Sequence, residues 1–186
     1  MQELLTTGIG HTEFKDSPVG RIPVGWDVQP LAALANPDAP ICYGILMPGK
    51  GVVGGVPVIK VKDIQNNKIN EYQLLLTSRE IDAKYARSRV RVGDVLVTIR
   101  GTTGRLAMVP ESLDRANITQ DTARIRIDDA ELAKYVFSFL QGQSAQQQIE
   151  SHTIGQAVKE GLPVFGRAEP AHRPRRIEPL LREMFP

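Results

Sequence analysis

The chain has 186 residues, 41% of them hydrophobic and 24% charged, with a formal net charge of +2. That length suits one ordinary domain with short appendages and a core that needs neither disulfide nor metal, and no apolar run is long enough to span a membrane. Cys42 is the only cysteine, His11, His152 and His172 stand apart, and the N-terminus lacks the basic flank and apolar run of a signal peptide, so a cytoplasmic chain without metal, cofactor or membrane anchor is expected.

In chain order, residues 2–7 read as the last turns of a helix closed by Gly8, and the Gly- and Pro-rich residues 10–25 as an extended linker. Trp26, Val28 and Leu31 are the expected anchors of the first buried edge. Residues 57–61 (PVIKV), 94–100 (DVLVTIR), 106–109 (LAMV) and 122–127 (TARIRI) have the β-branched content of strands. Between them, residues 78–86 open with the capping residue Ser78 and predict a helix. Residues 129–149 predict a longer one, through Leu132, Val136, Phe139 and Leu140, with its Gln-rich end more exposed. Beyond Glu160 the sequence is proline-rich and aperiodic, a loose tail in which only residues 177–185 suit a short helix. The pattern predicts an α+β fold, a twisted, largely antiparallel or mixed β-sheet with flanking helices. One sheet is expected to hold residues 57–61, 94–100 and 122–127.

Net charge alone names no partner, but its distribution is uneven. From residue 79 to 105 the bases Arg79, Lys84, Arg87, Arg89, Arg91, Arg100 and Arg105 face only Glu80, Asp82 and Asp94. The stretch GDVLVTIRGTTGR runs from a strand into Arg100-Gly101-Thr102-Thr103-Gly104-Arg105. A rigid strand followed by such a turn suits contact with duplex DNA: Arg spans the O6 and N7 acceptors of guanine, glycines admit close backbone approach, and amides and hydroxyls donate to phosphates. Arg105, past both glycines, is the expected base reader and Arg100 the phosphate contact. Asn117 and Gln120 add amides suited to adenine edges.

Arg87, Arg89 and Arg91 alternate and would share one strand face along a phosphate backbone, a pattern that a solvated strand face explains equally well; Lys60 and Lys62 share a face in the same way but carry less weight, because such lysines often simply protect an edge strand. Tyr43, beside Gly44, suits either a groove or the rim of a core. The plain alternative for the turn is a hairpin with solvated arginines. A nucleotide-binding loop is excluded, because no Lys followed by Ser or Thr enters a helix there. No Ser/His/Asp or Cys/His set suggests catalysis, and Asp94 is explained by turn chemistry.

Residues 4–18 (LLTTGIGHTEFKDSP), followed by Gly20-Arg21-Ile22-Pro23 and Gly25-Trp26, resemble the central region of DNA-specificity subunits of type I restriction-modification systems. Tyr43-Gly44, PVIKVKDI, GDVLV, the turn at residues 100–105, Asn117-Ile118-Thr119-Gln120 and Gly155-Gln156-Ala157-Val158 follow in family order, so the resemblance covers residues 4 to about 159. It implies the end of a spacer helix and a linker at residues 1–25, a target-recognition domain at 26–159 and a divergent tail at 160–186. It further implies a non-catalytic subunit that binds double-stranded DNA at a half-site and directs modification (methyltransferase) and restriction subunits, which would themselves bind S-adenosylmethionine and ATP. Two departures stand out: Met1 falls near the end of the first spacer helix, and the tail does not match the second. The expectation is therefore a shortened chain, with spacer helices mostly missing and subunit assembly weakened. A specificity domain of a fused restriction-methylation enzyme, a folded remnant without DNA binding and, more distantly, an enzyme on a small phosphorylated ligand stay open as alternatives.

Overall fold

Short β-branched runs interrupted every few residues by Gly, Pro, Asn or Asp give short strands joined by turns, and that is what the computed structural model contains. It describes residues 8, 10–17, 19–155 and 164–166. The chain divides into two units, one formed by Met1–Leu34 with Lys134–Pro186 and the other by Ala35–Ala133.

In the first unit, β1 (Phe14–Ser17) and β2 (Gly20–Pro23) form an antiparallel hairpin, with Phe14 opposite Pro23 and Ser17 opposite Gly20. The expected linker is thus partly folded, because Gly and Pro there punctuate a turn between two strands. The Arg21 guanidinium lies 5.4 Å from the centre of the Phe14 ring, and Ile22 is buried. Trp26 is half-buried and meets His11 edge-on at 5.7 Å. Strand β3 (Val28–Pro30) leads into the single turn α1 (Leu31–Leu34), whose Leu31 is fully buried. The expected helix at 129–149 is two helices. The chain leaves helical pairing at Gly142, whose amide bonds Phe139 O at 2.9 Å, so its C-terminal part is a separate helix. The tail is not wholly aperiodic, since Val164–Gly166 pairs antiparallel with β3. The helix expected at residues 2–7 and the one at 177–185 lie outside the described residues.

The second unit contains, in order, β4 (Cys42–Tyr43), β5 (Val56–Ile59), β6 (Ile64–Gln65), β7 (Lys68–Ile69), β8 (Leu75–Thr77), α2 (Arg79–Lys84), β9 (Val95–Thr98), β10 (Leu106–Met108), β11 (Asn117–Ile118) and β12 (Thr122–Ile125). The helices described above follow as α3 (Ala130–Leu140), which starts in this unit, and α4 (Gln143–Gly155), with the paired tail strand as β13 (Val164–Gly166). Ser78 caps α2 by accepting a hydrogen bond from the Ile81 amide at 3.3 Å.

Strands β10, β9, β12 and β4 form one antiparallel sheet in that order, while β11, β5 and β8 form a second, mixed sheet with a parallel β11–β5 pair. Residues 57–61 therefore do not share a sheet with 94–100 and 122–127. Strand composition identifies strands without identifying their partners. Both sheets contribute to one apolar cluster of Ile59, Ile64, Val90, Leu96, Ala107, Val109, Leu113, Ala116 and Ile118, each at most 4% exposed.

The two sheets meet along residues 44–45 and 118–119. Gly44 N donates to Thr119 O at 3.2 Å, Ile45 N to Ile118 O at 2.8 Å and Thr119 N to Ile59 O at 3.2 Å. Gly44 fits because it has no side chain: a Cβ there would lie 1.9 Å from Ile118 O. Gly44→Ala is expected to destabilise the chain by about 3 kcal/mol or to prevent folding, from overpacking against backbone that cannot yield. Urea unfolding followed by circular dichroism checks this, and a midpoint equal to the parent's would refute it.

Candidate functional site

The register of the four-stranded sheet gathers several loops at one end. Thr98 at the end of β9 lies opposite Thr122 at the start of β12, Tyr43 at the end of β4 opposite Ala123, and Leu106 at the start of β10 opposite Val97. Residues 44–47, 99–105 and 119–121 therefore leave the sheet together.

The turn between β9 and β10 is held by Thr98. Its amide donates to Arg105 O and its carbonyl accepts from Gly104 N, both at 2.9 Å, while its hydroxyl accepts from Arg105 N at 2.9 Å and donates to Thr102 O. Gly101 and Gly104 take φ of +73° and +79°, as the turn requires. The amides of Ile99 and Arg100 bond Asp121 O at 2.8 and 3.4 Å, and Gln120 N bonds Ile45 O at 3.0 Å. The exposed Arg100 donates through Nη1 to Gln120 Oε1 at 3.3 Å. The three loops are one hydrogen-bonded assembly.

A fourth segment joins through Arg105, whose Nη1 donates to Ile64 O at 3.1 Å and Val61 O at 3.4 Å. Residues 61–63 form a 3-10 turn, closed by the Lys60 amide donating to Asp63 Oδ2 at 2.9 Å. Lys60 and Lys62 line an open groove of about 390 Å³ together with Gly51, Val52, Val53 and residues 73–76. Among the described residues, no ion pair involves Arg100, Lys60 or Lys62. The exposed end thus offers a guanidinium, an amide, hydroxyls of Thr102 and Thr103, and two ammonium groups, the donor set that an anionic, hydrogen-bonding polymer accepts. Tyr43 is 45% exposed on edge strand β4, so it faces solvent at this end. No group of three or more His, Cys, Asp or Glu fit to hold a metal ion occurs among the described residues.

Three expectations need correction. Arg105, expected to read a base, is half-buried and its Nη1 is spent on two carbonyls. Its place is that of a strut between the turn and the segment that carries Lys60 and Lys62. Asn117 is fully buried: its Nδ2 donates to Asp82 Oδ1 at 2.9 Å and Tyr85 O at 3.2 Å, and its Oδ1 accepts from Ser88 Oγ at 2.7 Å and Ile118 N at 2.9 Å. No hydrogen-bonding capacity is left for a nucleobase. Arg87, Arg89 and Arg91 do not alternate along a strand. Arg87 is in a 3-10 turn at Ala86–Ser88, Arg89 follows it and pairs with Asp82, and Arg91 lies in the turn before β9.

These residues sit at the opposite end of β9 from Arg100. There Arg126 grips Asp94 with two hydrogen bonds, Nε to Oδ1 at 2.9 Å and Nη2 to Oδ2 at 2.7 Å, while Asp94 also accepts from Arg91 N at 2.8 Å. Burial works against the charged form of Asp82, but the hydrogen bonds from Arg89 and Asn117 and the Arg89 charge outweigh it and hold the carboxyl below its ordinary 3.8. The hydrogen bonds that Arg126 donates to Asp94 likewise hold its guanidinium charged against partial burial.

No family model matches the chain. It is 39% identical over 104 residues to the type I restriction enzyme EcoBI specificity subunit of Escherichia coli, a match covering 56% of this chain and 22% of that protein. The matched segment thus spans about a fifth of that relative's length. Its fold is similar to that of the HsdS subunit from Thermoanaerobacter tengcongensis, with a TM-score of 0.55, 15% identity, and coverage of 98% of this chain and 40% of that one. A chain from a structure describing complex assembly and conformational transition of the type I R-M system matches with a TM-score of 0.54 and 17% identity, covering 98% of this chain and 44% of that one.

The Asp82 network has a pH signature. A carboxyl whose folded pKa is depressed adds stability that is fully present above its unfolded pKa of 3.8 and is lost as pH falls through the lower, folded value. Unfolding by urea between pH 2 and 7 should show this acid loss in the parent and a flatter profile, from a lower starting stability, in Asp82→Asn. Profiles of equal steepness would show that Asp82 is not a contributor.

Proposed function

We propose that this chain, a relative over part of its length of type I restriction enzyme specificity subunits, binds duplex DNA and contributes sequence choice, without chemistry of its own, to a restriction-modification assembly. The observation that carries the reading is the convergence of outward-facing donors at one end of the β10-β9-β12-β4 sheet, on backbone cross-braced by Thr98, Gln120 and Arg105. Directional base contacts need side chains fixed by rigid elements, and this end supplies them. The unit Ala35–Ala133 presents these groups, within the 26–159 recognition domain expected from sequence.

Within this reading, Arg100 and Gln120 face base edges. Their mutual hydrogen bond orients both side chains, and a bidentate guanidinium or amide contact depends on orientation. Lys60 and Lys62, long and flexible, suit phosphate. Thr102 and Thr103 sit on the turn where the glycines keep the backbone accessible to the same phosphates. Methyltransferase and restriction subunits are the proposed partners, and the cofactors of those reactions would be theirs.

The test is equilibrium binding of the full chain to a random duplex library at several salt concentrations. Arg100→Ala should cost about 1–3 kcal/mol on the preferred duplexes and relax preference at one position, whereas Lys62→Ala should weaken all sequences alike and lower the salt slope by about one. Arg105→Ala should lower stability and binding together. A parent chain that binds no duplex at low salt would end the proposal.

A further inference from the structure

The loop from β4 to β5 runs Gly44-Ile-Leu-Met-Pro-Gly-Lys-Gly-Val-Val-Gly-Gly55, and it places apolar side chains in water. Val53 is 101% exposed, Met47 76%, Leu46 56% and Val52 50%. Its backbone is nonetheless tied down: Pro48 O accepts from Thr77 Oγ1 at 2.7 Å, Val52 N donates to Leu76 O at 2.8 Å and Gly55 N to Val52 O at 3.0 Å. At Gly55 a Cβ would lie 2.2 Å from Thr77 O, so the loop is pinned to β8 at close range. Its other end is joined to the Arg100 turn through Ile45 and Gln120. A fixed loop that displays two adjacent valines beside Lys60 and Lys62 combines apolar contact with positive charge.

We propose that the Val52–Val53 tip is a base-contacting element that packs on the 5-methyl group of thymine in the major groove while Lys60 and Lys62 hold the adjacent backbone. This rests on the DNA-binding reading above and adds to it a determinant that makes no hydrogen bond. Charge complementarity with Lys60 and Lys62, and continuity with the Arg100–Gln120 end, select a duplex over a protein as the occupant. Valine is too short to wedge between stacked bases, as longer apolar side chains do, whereas small apolar groups against the thymine methyl are a standard mode of readout.

The probes are duplexes selected from a random library by the full parent chain, and the same duplexes with thymidine replaced position by position by deoxyuridine, which lacks only the methyl. The parent should lose about fourfold in affinity at one position, the worth of one buried methyl. Val53→Ser, on an exposed site where folding is undisturbed by circular dichroism, should lose at least as much on the thymidine duplex. It should show no further loss on the deoxyuridine duplex, and its salt slope should match the parent's. If the parent binds duplexes with preference but is indifferent to every deoxyuridine, or Val53→Ser retains the parent's methyl dependence, the tip does not read thymine and only this inference falls. If the parent binds no duplex, the DNA-binding reading falls with it.

Discussion

The passage of residues 44–45 alongside 118–119 is the constraint on which the Ala35–Ala133 unit depends. Two small sheets, one of four short strands and one of three, share a single apolar cluster. Backbone hydrogen bonds from Gly44 and Ile45 to Thr119 and Ile118, and from Thr119 to Ile59, stitch them into one body around the Ile59–Ile118 cluster. The approach is possible only where a residue has no Cβ. The same joint places residue 120 beside residue 45 and, through Asp121, beside the turn after β9, so the geometry of the exposed end follows from the packing of the core.

Polar groups divide the work between the two ends of β9. At one end, Asp82, Ser88 and Asn117 form a buried network that the partly exposed Arg89 closes, and Asp94 is gripped by Arg126; these groups satisfy one another and fix the turns around them. Buried polar groups satisfied in this way specify one arrangement, whereas removal of a single partner leaves costly orphans. At the other end, Arg100, Lys60 and Lys62 enter no ion pair among the described residues. Exposed positive charge stands at both ends, Arg87 and Arg91 at the first and Arg100 at the second, but the first also holds the buried carboxylates Asp82 and Asp94, each paired with an arginine.

Strands at 94–100, 106–109 and 122–127 were legible because β-branched residues cluster between turn formers, and the α2 cap was legible in Ser78. The two-sheet arrangement was not, since the Gly44 joint is a long-range contact whose only local sign is the dipeptide Tyr43-Gly44. The hairpin at residues 14–23 was hidden by its own turn residues, which read equally as linker. For the site, the turn at 100–105 and Gln120 were visible as residue types, and the structure brings Arg100, Gln120, Lys60 and Lys62 to one region. Asn117 and Arg105 were misjudged for a common reason. An amide or a guanidinium looks the same in sequence whether it faces solvent or satisfies buried carbonyls and carboxylates, and burial is set by partners far along the chain. The valine tip went unnoticed because exposed apolar residues between glycines resemble an ordinary buried run.

The two glycines that bracket the β4–β5 loop are both wedged against carbonyl oxygens, Gly44 against Ile118 and Gly55 against Thr77. They fasten both ends of the loop to its neighbours, and between them the side chains of Leu46, Met47, Val52 and Val53 stand in solvent on a backbone held in place. Substitution at those four exposed positions changes the surface the loop presents at little cost in stability, whereas substitution at either bracketing glycine strikes backbone.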